Sequence, residues 1–194
     1  MADLIEITDL PPSFQTRTDA ARLIAAASAL AESYCRRPLS LQVGRVEYHD
    51  GGAWPELFLE CTPIVQIQSV YVNGCEITDY VYDANAGRVR RGTGQGSPNF
   101  APWFPEGAGN IVVTYTGGYL TIPDDIKQAV VSAVVNMARE FDSDTMMQSE
   151  SFAGQYSYTR AAKDQLSGGR FAAFGRSGLA ILAQYRKPGK HVIG

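Results

Sequence analysis

Along this chain apolar side chains recur at helical spacing, then at every second position, then at helical spacing again. Leu23, Ala27, Leu30 and Tyr34, widened by Ile24 and Ala31, form one stripe of "TDAARLIAAASALAESYCRRPL". That period predicts a helix over residues 18–37. Thr18 is its expected N-cap, Asp19 suits its positive end, Arg36 and Arg37 suit its negative end, and Pro38 stops it. Its many alanines let a second helix approach closely.

Between residues 41 and 91 the period falls to two. "GRVEYHD", "ELFLE", "IQSVYVNG", "EITDYVYDAN" and "GRVRRG" are short, β-branched or aromatic, and separated by turn residues, which predicts an antiparallel meander. Asn73-Gly74 supplies the two positive φ angles of a type I′ hairpin turn, and "DANAG" is the next turn. Gly92 to Gly109 reads as a long Gly/Pro-rich loop, of a length uncommon in a compact domain unless it is functional or disordered. Its aromatics Phe100, Trp103 and Phe104 need a surface to cover. "NIVVTYTG" closes the sheet, and Gly117-Gly118 turns the chain toward Pro123. A second helix follows over 123–141. Asp124 and Asp125 occupy its first turn, and Ile126, Ala129, Val130, Ala133, Val134, Met137 and Phe141 form its apolar face. The next stretch is polar, with alternating aromatics in "SFAGQYSYTRA", a strand or an arm that orders on a partner. A short last helix, "SGLAILAQYRK", has Ser177 as its expected cap and Leu179, Leu182 and Tyr185 on one side.

Composition narrows the class without naming a function. The 194 residues are 45% hydrophobic and 19% charged, with a net charge of −3, long enough for one well-buried core, or one core plus an extended arm. That balance argues against a general nucleic-acid binder. The last 25 residues are locally basic (Arg170, Arg176, Arg186, Lys187, Lys190) and the first 16 acidic (Asp3, Glu6, Asp9). Cys35, Cys61 and Cys75 match neither a zinc site nor a redox pair and suit reduced, partly buried thiols. The N-terminus lacks the pattern of a signal peptide and no window is long and apolar enough to span a membrane, so the expected setting is cytoplasmic.

Chemistry-bearing residues are sparse. His49, beside Asp50, reads as a surface imidazole at a turn more readily than as a base, because no serine or cysteine elbow accompanies it. "GTGQGS" at 92–97 lacks the Lys-Ser/Thr of a phosphate loop and precedes a strand. Asp142, Asp144 and Glu150, or Asp79 and Asp83, match no calcium-loop spacing and read as solvated acids. Arg88, Arg90 and Arg91 are the densest basic run before the tail. Alternation puts Arg88 and Arg90 on one face, for subunit contact or for solvent, with nucleic-acid phosphates as the third reading. The residues therefore predict no enzyme, no catalytic or metal-binding group and no cofactor.

The order of the parts says more. An alanine-rich helix ending in "AESYCRRPL", a meander containing "IVQIQSVYVNGCEITDYVYDANAGRVR", the run "YTGGYLTIPDDIKQAV" and a terminal "GLAILAQYRKP" resemble the head–tail connector family of tailed bacteriophages (adaptor or head-completion proteins), including relatives in phage-like gene transfer particles. The resemblance spans residues 14–188, and Y-x-G-G-Y-x-x-I-P-x-D-I-K-x-A is its most specific element.

It implies an α+β fold in a single adaptor domain over residues 1–188. A β-insert at about 41–116 separates the two long helices, a variable arm lies at about 142–175, and a tail follows at 189–194. It also implies a ring, typically of twelve copies, below the portal in the virion neck, assembled in host cytoplasm. The implied partners are the portal protein, neighbouring copies and a downstream neck or tail protein, with DNA only passing through and no membrane. Carried onto this chain, the portal-docking candidates are Leu182, Tyr185, Arg186, Lys187, Lys190 and His191. The candidates for subunit or tail contact are Arg88, Arg90, Trp103, Phe104, Phe152, Tyr156 and Tyr158. Another neck protein, a stopper or tail terminator, is the competing structural reading, disfavoured by the two long helices. From a different class, the alternative is a small hydrolase or carbohydrate-binding module built on the loop around Trp103.

Overall fold

The computed structural model describes residues 3–92, 103–145 and 170–187. They fall into two units, one drawn from both ends of the chain (up to Arg36, and from Ile122 on) and one comprising Arg37–Thr121.

The first unit is helical. After a 3-10 turn at Ile7–Asp9 and the one-turn helix α1 (Pro12–Gln15), α2 spans Ala20–Cys35. It starts later than predicted because Thr18 and Asp19 form a turn; Asp19 makes no capping bond, and its carboxylate instead meets Arg17 Nε at 2.9 Å. Leu23, Ile24, Ala27, Ser28, Ala31 and Cys35 are buried, leaving Leu30 and Tyr34 at the margin of the stripe. Arg36 takes the left-handed conformation (φ 56°) and ends the helix before Pro38.

α3 spans Asp124–Thr145, with Asp124 and Asp125 in its first turn as the positive helix end favours. It buries Ile126, Ala129, Val130, Ala133, Val134 and Ala138. Phe141, expected on that face, is 55% exposed instead, and the Arg22 guanidinium lies 5.9 Å from its ring centroid. α3 packs against both α2 and α4 (Gly175–Gln184). α4 begins two residues before Ser177, so Ser177 lies inside it rather than capping it. Small residues set these approaches: a Cβ on Gly178 would lie 3.7 Å from the Ala129 Cβ and 3.2 Å from the Phe174 Cβ.

Among its described residues the second unit is antiparallel throughout its ladders, and the seven strands there lie between the two long helices in sequence. They are β1 (Gln42–Gly51), β2 (Glu56–Phe58), β3 (Ile64–Val72), β4 (Cys75–Glu76), β5 (Tyr80–Asp83), β6 (Arg88–Arg91) and β7 (Gly107–Gly117). They form two sheets, ordered β1-β7-β3-β4 and β2-β6-β5. The last strand thus enters between the first and third instead of closing the row. Two turns follow the sequence pattern. Asn73 (φ 51°) and Gly74 (φ 78°) join β3 to β4. At the β5–β6 turn, Asp83 Oδ1 accepts from the Asn85 and Ala86 N–H groups, at 3.1 and 3.0 Å. β7 starts inside the stretch expected to be loop and buries Ile111, Val113 and Tyr115 against Val70, Val72, Val89 and Phe104. Where the chain enters and leaves this unit, Ser40 and Tyr119 form a bridge, and the Tyr119 N–H donates to the Leu39 carbonyl at 3.0 Å.

Candidate assembly surfaces

Arg88 and Arg90 alternate on β6, so their guanidinium groups share one face. Both reach Glu56 Oε1, at 3.6 and 3.2 Å, and Arg88 also lies 3.9 Å from Asp83 Oδ2. With Val81 and Tyr82 they line a shallow depression of about 150 Å³. Arg91 turns the other way and pairs with Asp79 at 3.2 Å. The face carries cations already matched by acids. That suits a protein contact with its own acids and bases better than a phosphate backbone.

The docking candidates on α4 divide. Leu182 is fully buried: the side of α4 that carries it packs inward. Tyr185 is half-buried, and its hydroxyl donates to Asp125 Oδ2 at 2.6 Å. Arg186 is exposed, with its guanidinium 5.4 Å from the centroid of the Tyr34 ring. The Lys187 N–H donates to the Cys35 carbonyl at 2.9 Å. Lys190 and His191 lie outside the described residues. The end of α4 is therefore fastened to α2 and α3, with Arg186 turned to solvent.

The aromatic loop divides too. Trp103 is 58% exposed, and so is Trp54, at 61%. Phe104 belongs to the core at 1% exposure. Its N–H donates to the Trp54 carbonyl at 2.9 Å in an isolated antiparallel bridge, which turns its ring inward. Phe152, Tyr156 and Tyr158 lie outside the described residues.

A surface that the sequence pattern did not single out lies on the solvent side of the first sheet. Register aligns Tyr48, Val112 and Tyr71 in one row across β1, β7 and β3, with Val46, Thr114 and Ser69 in the next. None of the six is charged. Tyr48 is 72% exposed and Val46 47%. The signal was present in the alternation of "RVEYH".

The opposite side of β1 is polar and buried. Glu47 accepts from the Tyr115 hydroxyl, from Arg45 Nε at 2.7 Å and from the Glu60 N–H at 3.0 Å. His49 Nε2 stands 3.3 Å from Glu47 Oε2, near enough for an ion pair when protonated but not aligned as a hydrogen bond. Burial pushes the Glu47 carboxyl up, but His49, Tyr115, the Glu60 N–H and Arg45 outweigh it and hold the group down at about 2. Burial, reinforced by the hydrogen bond to Glu47, pushes the Tyr115 phenol up. A carboxylate so fully engaged is a structural lock rather than a proton carrier.

The acids singled out in the sequence have structural partners where they are described: Asp142 meets Arg17 at 2.8 Å, and Asp79 and Asp83 are paired as above. Among the described residues no group of three or more His, Cys, Asp or Glu is placed to hold a metal ion, and no helix is long and apolar enough to cross a membrane.

Residues 8–168 match the family described as Head completion protein. Among solved structures, the chain is similar to one from "Neck of empty GTA particle computed with C6 symmetry", with TM-score 0.53 and 15% identity over 96% of this chain and 91% of that one. It is likewise similar to a chain from "Virion of native gene transfer agent (GTA) particle", with TM-score 0.51 and 15% identity over 97% of this chain and 95% of that one. A third likeness, to a chain from "Neck of native GTA particle computed with C12 symmetry", has TM-score 0.50 and 17% identity over 97% and 95%. Among curated proteins, none matches the chain. At these identities the solved structures speak to the fold, and the family match carries the assignment. The chain belongs to the head completion protein family and is a structural virion protein, not an enzyme.

Proposed function

We propose that the protein is a head–tail adaptor: a ring of copies, twelve in the expected form, that joins portal to tail in the virion neck and lines part of the DNA channel. The observation that carries this is the family match over residues 8–168. The likeness of fold to chains from necks computed with C6 and C12 symmetry supports a cyclic arrangement. A closed ring needs two different patches on each subunit, held at a fixed angle by a rigid body. The neutralised Arg88/Arg90 face and the uncharged Tyr48–Val112–Tyr71 row are two such patches, and exposed Trp103 adds a third surface.

In this reading residues 1–188 act as one adaptor and 189–194 as its tail. The portal meets α4 and the residues C-terminal to it. Leu182 seats the helix from within, Tyr185 fixes its end to α3, and Arg186, Lys187 and Lys190 supply the docking cations, with His191 as a further docking residue. A net charge of −3 discourages packaged DNA from adhering to the ring.

Deleting the gene in its parent particle tests the proposal. Tailless heads with separate free tails in electron micrographs support it; complete tailed particles overturn it. Direct capture of purified portal by this chain, lost in Arg186→Glu, separates an adaptor from a stopper or tail terminator acting further down the neck.

A further inference from the structure

The two sheets of the second unit share one core: Leu57 and Val89 of the smaller sheet are buried together with Val70, Val72, Ile111, Val113 and Tyr115 of the larger. Each sheet therefore turns its other face away from that core. On the smaller sheet the outward face carries two register rows, Phe58–Arg88–Asp83 and Glu56–Arg90–Val81. On the larger it carries Tyr48–Val112–Tyr71 and Val46–Thr114–Ser69, and the first of these rows runs on to Glu76 of β4. Tyr48, Tyr71, Glu76, Phe58 and Arg90 are exposed.

The two faces complement each other. The smaller sheet brings Arg88 and Arg90, both directed at the single oxygen Glu56 Oε1, at 3.6 and 3.2 Å. A guanidinium has five N–H donors, so these contacts engage only part of each group. The larger sheet offers what the remainder seeks: two tyrosine rings, whose faces attract a guanidinium, and the Glu76 carboxylate at the end of their row. No Lys or Arg stands in its two rows, so the arginines meet no like charge there. Phe58 is an exposed apolar ring that an uncharged sheet surface covers well. Because Arg88 and Arg90 are already matched by Glu56 and Asp83, covering their face buries no unpaired charge, which would be costly. Tyrosine and arginine are also the side chains that most often dominate the energy of protein contacts.

We infer that in the assembled ring the Arg88/Arg90 face of one copy packs on the Tyr48–Val112–Tyr71 face of the next, with the arginines over the tyrosine rings and toward Glu76. This rests on the ring reading above. The contact is heterologous, one patch from each of two identical chains, as ring closure demands. A ring of many copies turns only slightly at each step, about 30° for twelve, so its two patches must look nearly opposite ways. The outer faces of two sheets packed over one core meet that need. Both belong to one compact unit, Arg37–Thr121, which holds the angle between them fixed.

The test is photo-crosslinking in whole particles carrying Tyr48→p-benzoylphenylalanine, which keeps an aromatic ring at this exposed position. Irradiation followed by a denaturing gel should give multimers of this chain, and peptide mass spectrometry should place the link on residues 56–58 or 81–90 of a second copy. Links to any other segment of this chain, or a linked monomer, overturn the inference. In particles whose necks assemble normally, links to a different virion protein or to DNA overturn it while leaving the ring reading intact, and so does the absence of any link. If the unmodified chain forms no ring in the particle, both fall together. Should the probe block assembly, hydroxyl-radical footprinting of the wild-type chain decides. Tyr48, Tyr71 and Phe58 should all lose labelling on passing from free chain to ring, and labelling that persists at any of the three refutes the contact.

Discussion

Replacing Tyr115 with phenylalanine removes one oxygen from the centre of the sheet unit. That oxygen donates to Glu47 and accepts from the Cys61 N–H at 2.9 Å, so its loss removes one buried acceptor and strips the carboxylate of one partner. A hydrogen bond to a charged group contributes about 1.5–3 kcal/mol. With partial relaxation the expected loss is about 3 kcal/mol. Both tryptophans of the chain, Trp54 and Trp103, lie in this unit, so tryptophan fluorescence follows its unfolding while ellipticity at 222 nm follows the helices. For a urea slope of about 1.5 kcal/mol/M, the fluorescence midpoint should fall by about 2 M. Acid provides an independent arm. Glu47 is held at about 2 when folded against an ordinary value of 4.5, so its contribution is present above pH 4.5 and is lost as pH falls through about 2. That shift corresponds to roughly 3 kcal/mol. In the variant the carboxyl has lost a donor, so the decline in stability between pH 5 and 2 should be shallower. A fluorescence midpoint lowered by less than about 0.3 M, together with an unchanged acid slope, would refute the idea that this oxygen holds the lock together.

Leu182→Ala should lower the stability of the helical unit by about 2–4 kcal/mol, seen as an earlier ellipticity transition with the fluorescence transition unmoved. Gly118→Ala should be much worse than Gly74→Ala. At Gly118 (φ +99°) the new Cβ would meet the Ser40 carbonyl oxygen at 2.3 Å, whereas at Gly74 (φ +78°) it meets nothing within 4 Å; strain alone costs the latter about 1–2 kcal/mol, and thermal melts of the two variants compare them directly. Arg88→Ala with Arg90→Ala removes partly exposed ion pairs, so each change should move stability by less than about 1 kcal/mol. A marked loss of ring formation on sedimentation would then be an assembly effect rather than unfolding.

The parts of the fold legible in the sequence were those written in local periodicity and turn chemistry. Asn73-Gly74 announces its hairpin because few other pairs tolerate two positive φ angles. The stripes of α2 and α3 follow from apolar spacing, and they slip only at their ends, where Leu30, Tyr34 and Phe141 drift off the buried face. What stayed hidden depends on partners distant in the chain. Nothing local says that β7 enters between β1 and β3, or that β2, β5 and β6 leave to form a second sheet. Phe104 and Trp103 are adjacent aromatics in the same glycine-rich stretch, and only the bridge to Trp54 decides which one turns inward. Glu47 looks like any solvent-facing acid of an edge strand until Tyr115 and the Glu60 N–H are brought to it. Leu182 read as a docking residue because a short amphipathic helix shows its apolar side equally well to its own core and to a partner.

The bridge between Ser40 and Tyr119 bears on the order in which the chain folds. The helical unit must join α2 to α3 across the 85 residues of Arg37–Thr121. Closing a flexible loop of that length costs on the order of 4 kcal/mol, against about 1.5 kcal/mol for a loop of five residues. Once the strands have formed, the two ends of the insert are already hydrogen-bonded side by side, so the helices find each other across what is effectively a short loop. The sheet then acts as an internal clasp, and folding it first makes docking of α3 on α2 nearly local. Variants that weaken the sheet, Tyr115→Phe among them, should therefore slow helix docking as well, even though they touch no helical residue.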